Sequence, residues 1–418
     1  MDFWNARVID GTGRPAFERA AVRVADGRIV SVQSLDGSGG PDGGPVPNGA
    51  IDLEGRTLMP GLIDAHAHLS SDVFRSPGFG PPPELHGELP RRRELGYFIL
   101  AKTARVLLGA GVTSVRDVGA YDDEALALRD AVRLGIIPGP RILSCGRIIS
   151  ATAPGGAIFG TMYREADGAD DMRRAVREQL RRGADYVKLM ATGARSVLVE
   201  DPEPAQMTAV ELAAVVDEAH RLGIRVAAHA EGLAGARLAV REGVDTIEHG
   251  LSLHREPVLL EEMAERGIVL VPTLSTFHDL AERFTDDFPL ALVEQAKRQL
   301  EEAYATLVAA RGCGVTLAMG HDSGPPGDNA IELVRMVDGG LSPLEGICAA
   351  TSGSACALGI SSSVGTVVPG AVADLLVVDG DPLADVRLLH DPERIWMVVQ
   401  GGKVVGGRAA PVSELAPA

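Results

Sequence analysis

Leu58-Met59-Pro60-Gly61-Leu62-Ile63 runs without a charge into Asp64-Ala65-His66-Ala67-His68-Leu69. An apolar run of this kind suits a strand buried on both faces, as in a parallel sheet covered by helices. Side chains alternate along an extended strand, so His66 and His68 point the same way. Two imidazoles so spaced can grip one metal ion from the same side. The stretch reads as a metal site at the carboxyl end of a barrel strand. The plainer alternative is two histidines satisfied by hydrogen bonds at a strand end.

Downstream, apolar strands alternate with amphipathic helices. Strands are expected at Leu58–His66, Val112–Val118, Arg141–Gly146, Tyr186–Ala191, Arg225–His229, Thr246–His249, Ile268–Thr273 and Val315–Met319. Helices are expected at Arg91–Leu108, Asp122–Leu134, Ala169–Arg182, Thr208–Leu222, Leu233–Glu242, Glu256–Arg266 and Leu290–Arg311, then Asn329–Asp338 and Pro343–Leu358. Gly109, Gly183, Gly223, Gly243 and Gly267 follow helices, where a left-handed stop is needed. This alternation predicts a distorted (β/α)8 TIM barrel over residues 58–361. Residues 1–57 and 362–418 read as short strands and turns, with Asp10-Gly11 and Asp26-Gly27 as turn signals. They are expected to form one small β-sandwich domain from both chain ends. Asp36 to Pro47 reads as a Gly/Pro/Ser-rich loop.

The 418 residues are 45% hydrophobic and 23% charged, enough for one sizeable domain plus a smaller one. A net charge of -17 argues against nucleic acid and anionic membrane as partners and says nothing about the active site; a small-molecule substrate is expected. Cys145, Cys313, Cys348 and Cys356 form no CxxC pair and read as small buried side chains of a reduced chain. The polar, strand-like start suggests no signal peptide, and no run of about 18 apolar residues suggests a membrane span. A cytoplasmic homo-oligomer is expected.

In a barrel of this kind, functional residues sit at the carboxyl ends of strands. Strand one ends in His66 and His68, strand five in His229, strand six in His249 and strand eight in Asp322; strand four carries Lys188. Such nitrogen and oxygen donors suit zinc first, with manganese, cobalt and iron as alternatives. Burial would lower the pKa of Lys188 and free its amine to add CO₂. The resulting carbamate could bridge two metals. Pairing with Asp185 or Asp322 is the alternative. Two divalent ions, a carbamate, the Asp322 carboxylate, four neutral imidazoles and a hydroxide make a nearly neutral site. The metal-bridging hydroxide would attack a carbonyl, and Asp322 would carry its proton to the leaving amine.

The motifs Pro60–His68, Val187-Lys188-Leu189-Met190, Val226-Ala227-Ala228-His229, Thr246-Ile247-Glu248-His249 and His321-Asp322, in that order, resemble the amidohydrolase superfamily in its binuclear branch with a carboxylated lysine. The resemblance covers nearly the whole chain, including the tail Pro369–Val378. It implies His66 and His68 on the more buried metal, Lys188 bridging, His229 and His249 on the second metal, and Asp322 on the first and as proton shuttle. Within the family the chain looks like metal-dependent Xaa-Pro-type dipeptidases and hydrolases of N-acyl amino acids, carried by Thr113–Gly119, Ala191-Thr192-Gly193 and Ile247–Gly250. Such relatives often carry a Gly-Gly-His loop after strand three; here Ser150–Ala157 has no histidine, which puts a free substrate carboxylate in doubt. Amide-bond hydrolysis in small molecules is therefore expected. The alternatives are a mononuclear deaminase or cyclic-imide hydrolase, which would place a Glu and His after strand five where this chain has Ala230-Glu231-Gly232, and a lactonase or phosphotriesterase. A catalytically dead scaffold would have lost ligands.

Weaker candidates lie around the mouth. Tyr163, Arg195 and His254 are candidate substrate contacts, and His278 is a further histidine near it. Arg116 and Asp117 read as a buried ion pair. Glu248, beside His249, could orient a metal ligand or pair with a neighbouring strand. His86, His220 and His390 receive no role. Substrate choice is expected to lie in the loops Ser70–Leu89, Ile149–Ala166, Arg195–Gln206 and Ser275–Phe288.

Overall fold

The computed structural model describes residues 1–35, 46–70, 94–194, 200–283, 285–322 and 324–409. The decisive apolar run is two strands. Thr57–Pro60 pairs antiparallel with Leu375–Val378 and parallel with Asp2–Val8. Leu62–Ala67 pairs parallel with Val112–Asp117. Gly61 is the joint: a β-carbon there would lie 2.3 Å from the Thr113 side chain. The expected strand Leu58–His66 thus serves two sheets, because an unbroken apolar run carries no sign of where its partner changes.

Parallel strands surround the site in two sheets. Leu62–Ala67, Val112–Asp117 and Arg141–Ser144 form one; Tyr163–Glu165, Ile148–Ser150, Val187–Met190, Val226–Ala230, Thr246–His249 and Val269–Val271 form the other. The expected third strand, Arg141–Gly146, stops at Ser144, turns at Gly146 (φ 67°) and resumes as Ile148–Ser150. Its first half pairs with Val112–Asp117 and its second with Val187–Met190. The eighth position, expected as Val315–Met319, is held by single bridges. Leu270 N donates to Thr316 O (3.0 Å) and Ala65 N to Met319 O (2.7 Å). The outcome is a distorted (β/α)8 barrel in two sheets rather than one continuous ring.

Its helices, such as Ala169–Arg182, Ala209–Arg221, Leu233–Glu242 and Pro257–Arg266, follow the apolar periodicity. Gly183, Gly243 and Gly267 stop three of them in the left-handed region. Thr208 and Glu211 close a capping box on Ala209–Arg221, a feature whose loss costs about 1 kcal/mol. Val187, Leu189, Val226, Ala228 and Ile247 pack outward against these helices. Period two then turns Lys188, His229, Thr246 and Glu248 inward.

The chain-end strands form one mixed eight-stranded sheet. Ile29 N donates to Ala371 O and Ala373 N to Gly27 O, so the turn of the second hairpin meets the returning tail. Phe3, Ala6, Val22, Leu58, Leu375, Val377 and Val399 fill its core. Among the described residues no helix is long and apolar enough to cross a membrane.

Candidate metal centre

Four imidazoles and a carboxylate converge at the carboxyl ends of the barrel strands. Ring centroids lie 5.8 Å apart for His66 and His68, 5.0 Å for His66 and His249, and 4.6 Å for His229 and His249. Asp322 Oδ1 lies 3.6 Å from Nε2 of both His66 and His68. Backbone geometry makes this convergence possible. His249 (φ 69°), Thr273 (φ 49°) and Asp322 (φ 69°) all occupy the left-handed region at strand ends. That conformation is costly for side chains other than glycine and is characteristic of functional sites. At His249 it breaks the alternation, so the consecutive Glu248 and His249 both serve the site.

The imidazoles are oriented from outside the cluster. His66 Nδ1 donates to Glu248 Oε2 (2.6 Å) and His68 Nδ1 to the Gly119 carbonyl (2.9 Å). Both acceptors only accept, so in the neutral rings Nε2 keeps its lone pair and faces Asp322. His249 Nδ1 lies 2.7 Å from Thr273 Oγ1. His229 Nε2 is 3.0 Å from the Gly193 carbonyl and 3.4 Å from Glu231 Oε1. Burial, followed by the nearby Lys188 charge, pushes the His66 imidazole down to about 4, which keeps it a neutral donor.

Glu248 anchors the floor. It accepts from Arg116 Nη2 (2.7 Å) and Thr246 Oγ1 as well as from His66. Burial alone would raise its carboxyl; the Arg116 charge and the His66 hydrogen bond reverse this and hold it below the usual carboxylate range. The expected Arg116–Asp117 pair does not form, since neighbours on a strand point to opposite faces. Asp117 instead accepts from Ser144 Oγ (2.8 Å) and Leu69 N (3.2 Å). Lys188 is 2% exposed. Burial lowers its ammonium pKa and the Arg116 charge lowers it further, against Glu248 and Asp322. Asp185 is not its partner: that carboxylate takes Arg129 Nη1 (2.7 Å) and Ser144 N (2.9 Å).

Three residues that sequence reasoning left without a role shape the site. Asp64 accepts from His66 N (2.9 Å), His321 N (3.3 Å) and Asn329 Nδ2 (2.6 Å), tying strand one to strand eight. Burial nevertheless pushes its carboxyl up to about 7. An acid inside an apolar strand was the signal for it. Thr273 carried no such signal. Glu231 lies with His229 and His249, its ligand atoms and theirs all within 4.8 Å of one another; His66, His249 and Asp322 form a second such group.

Of the substrate-contact candidates, Tyr163 has the Glu200 and Glu231 carboxylates near enough to add to the burial that raises its phenol well above the ordinary value. Tyr163 is buried, stacked on Phe159 at 4.9 Å and packed with Ile148 and Met190. His254 Nδ1 faces the Leu251 carbonyl (3.1 Å) and Thr306 Oγ1 (3.0 Å). His278 bridges Glu282 (2.8 Å) and the Tyr304 hydroxyl (2.7 Å). Arg195 and His86 lie outside the described residues.

The donor set fits divalent ions. It combines imidazoles with fixed tautomers and buried carboxylates within one ion's reach, the chemistry that suits zinc and its first-row neighbours.

The sequence model of the amidohydrolase family matches residues 57–405. Ochratoxinase of Aspergillus niger is 33% identical over 378 residues, covering 84% of this chain and 76% of that protein. Its solved structure superposes with a TM-score of 0.83 over 98% of this chain and 96% of that one. A Xaa-Pro dipeptidase with methionine bound in its active site is 28% identical, with a TM-score of 0.84 over 96% of this chain and 98% of that one. A prolidase complexed with N-methylphosphonate-L-proline is 29% identical, with a TM-score of 0.83 over 97% of this chain and 98% of that one.

Proposed function

The chain belongs to the amidohydrolase family and is a hydrolase of carbon–nitrogen bonds; from that premise we propose that it cleaves the amide bond of a dipeptide or an N-acyl amino acid. The observation that carries this is the convergence of His66, His68, His229, His249 and Asp322 around the buried Lys188. His66, His68 and Asp322 would hold one divalent ion, His229 and His249 the other, with zinc as the first candidate. When bound, such ions supply Lewis acidity that polarises a carbonyl and makes water nucleophilic at neutral pH.

The protein's own groups do the rest. Lys188, whose ammonium pKa burial lowers, would add CO₂ through its nitrogen lone pair with release of one proton and so supply an anion to the metal centre. Asp322 accepts the proton of the attacking water and passes it to the leaving amine. Its backbone is fixed by the 2.6 Å bond from its amide to the His66 carbonyl. Glu248 and the Gly119 carbonyl hold His66 and His68 in register. The relatives named for amino-acid and dipeptide ligands support an amino-acid leaving group. The stretch Ser150–Ala157 after strand three holds no Lys, Arg or His; its Gly155 N donates to Glu200 (2.6 Å), which also takes Ala194 N (2.9 Å). A leaving group recognised other than through that loop is therefore favoured.

A screen of dipeptides and N-acyl amino acids on metal-reconstituted protein tests this. Turnover lost on chelation and restored by Zn²⁺, Mn²⁺ or Co²⁺ is the expected result. Hydrolysis of lactones or phosphotriesters alone would overturn the amide assignment, and one ion per active chain would overturn the binuclear one.

A further inference from the structure

Glu231 stands immediately beyond strand Val226–Ala230 and is 1% exposed. Its backbone is pinned on both sides: its amide donates to Thr192 Oγ1 (3.2 Å) and its carbonyl accepts from Ser252 N (3.2 Å). The side chain is thus rooted, buried, at the carboxyl end of the strand. Its carboxylate shares a 4.8 Å cluster with ligand atoms of His229 and His249.

We propose that Glu231 is a direct carboxylate ligand of the second metal position, so that this position holds a divalent ion without the Lys188 carbamate. The inference rests on the reading of the strand-end cluster as a metal centre. It divides the donors into two sets of like composition, with His249 within reach of both. His66, His68 and Asp322 serve one ion; His229, His249 and Glu231 serve the other. Each set has two imidazoles and one carboxylate, which leaves positions open for water and substrate. A buried carboxylate beside two imidazoles favours a divalent counter-charge, because its lost hydration must be offset locally. With Asp322 and Glu231 each assigned to one ion, the anion on Lys188 adjusts the pair rather than being required to assemble it.

The test is metal titration of chelator-stripped protein by calorimetry, with metal counted by plasma mass spectrometry. Native protein, Glu231→Gln, Glu231→Asp and Lys188→Ala are compared in CO₂-depleted buffer, with folding checked by circular dichroism. Native protein and Lys188→Ala should each bind two ions. Glu231→Gln should bind the first ion normally and the second at least about tenfold more weakly, the scale on which even outer partners of ligands act. Glu231→Asp should be intermediate. Two ions with unchanged affinity in Glu231→Gln, or only one in Lys188→Ala, overturns the assignment while leaving the metal centre intact. No divalent ion bound by native protein overturns the centre itself. Should Glu231→Gln fail to fold, a crystal structure of the metal-loaded native protein decides. A Glu231 oxygen at about 2.0–2.2 Å from an ion supports the proposal; a Glu231 carboxylate turned away from the ion overturns it.

Discussion

Glu248 Oε2 accepts the Nδ1 proton of His66 at 2.6 Å while Oε1 of the same carboxylate takes Arg116 at 2.7 Å. One buried acid thus orients a metal-ligand candidate and neutralises the cation that sits beside Lys188.

Glu248→Gln should keep the shape but lose the charge. Metal affinity is expected to fall by about 10–100-fold, the usual cost of removing a ligand's hydrogen-bond partner. Glu248→Ala should in addition cost about 3–5 kcal/mol of stability, because Arg116 is left as an uncompensated buried charge. Calorimetric titration and urea unfolding measure the two effects, and unchanged metal affinity in Glu248→Gln would remove its orienting role.

Asp322→Asn removes the proton acceptor. With metal content verified as unchanged, kcat should drop by about 10²–10⁴-fold, the contribution of a positioned acid–base group. A drop explained wholly by lost metal would make Asp322 a ligand only.

Lys188→Ala should lower kcat by about 100-fold by disturbing the spacing at the mouth. Short carboxylic acids added to the assay should restore part of it by standing in for the carbamate. Full activity of the variant without any added acid would exclude a role for a lysine-derived anion.

Glu332 gives a pH dependence of stability. Its carboxylate accepts from Leu274 N (2.9 Å), Ser275 N (2.7 Å) and Ser275 Oγ (2.6 Å), yet burial outweighs these bonds and pushes it from 4.5 up to about 7. Between those values the folded chain binds more protons than the unfolded one, so this contribution to stability is full below about 4.5 and is lost as pH rises through about 7. The loss amounts to about 3 kcal/mol at most. Glu332→Gln should flatten that part of a plot of unfolding midpoint against pH; an unchanged slope would assign the dependence to other groups.

Much of the site was legible because histidine and lysine have few reasons to sit on strands as apolar as Val187–Met190 and Val226–Ala230. Period two then placed Lys188 and His229 inward without any structure. The residues missed are those whose role depends on nonlocal geometry. Glu231 reaches His229 because the chain turns just past the strand, and Thr273 reaches His249 from the next strand. The Arg116 partner was misassigned to its sequence neighbour, whereas the true one lies 132 residues away. In the fold, helix ends were legible from their glycines. The split of the third strand and the sharing of the first were not, since pairing partners are set across the chain and not along it.

The joint at Gly61 has a consequence for how the protein is made. Thr57–Pro60 gains one edge early, from Arg7 and Val8, but its other edge waits for Leu375–Val378. Thr57 Oγ1 also donates to the Gly380 carbonyl, 323 residues downstream. On the ribosome, the segment leading directly into His66 therefore stays half-paired until nearly the whole chain has emerged. The first ligands translated would be among the last to be locked in place, and a nascent chain stopped before residue 375 should expose that strand edge to chaperones and to other chains.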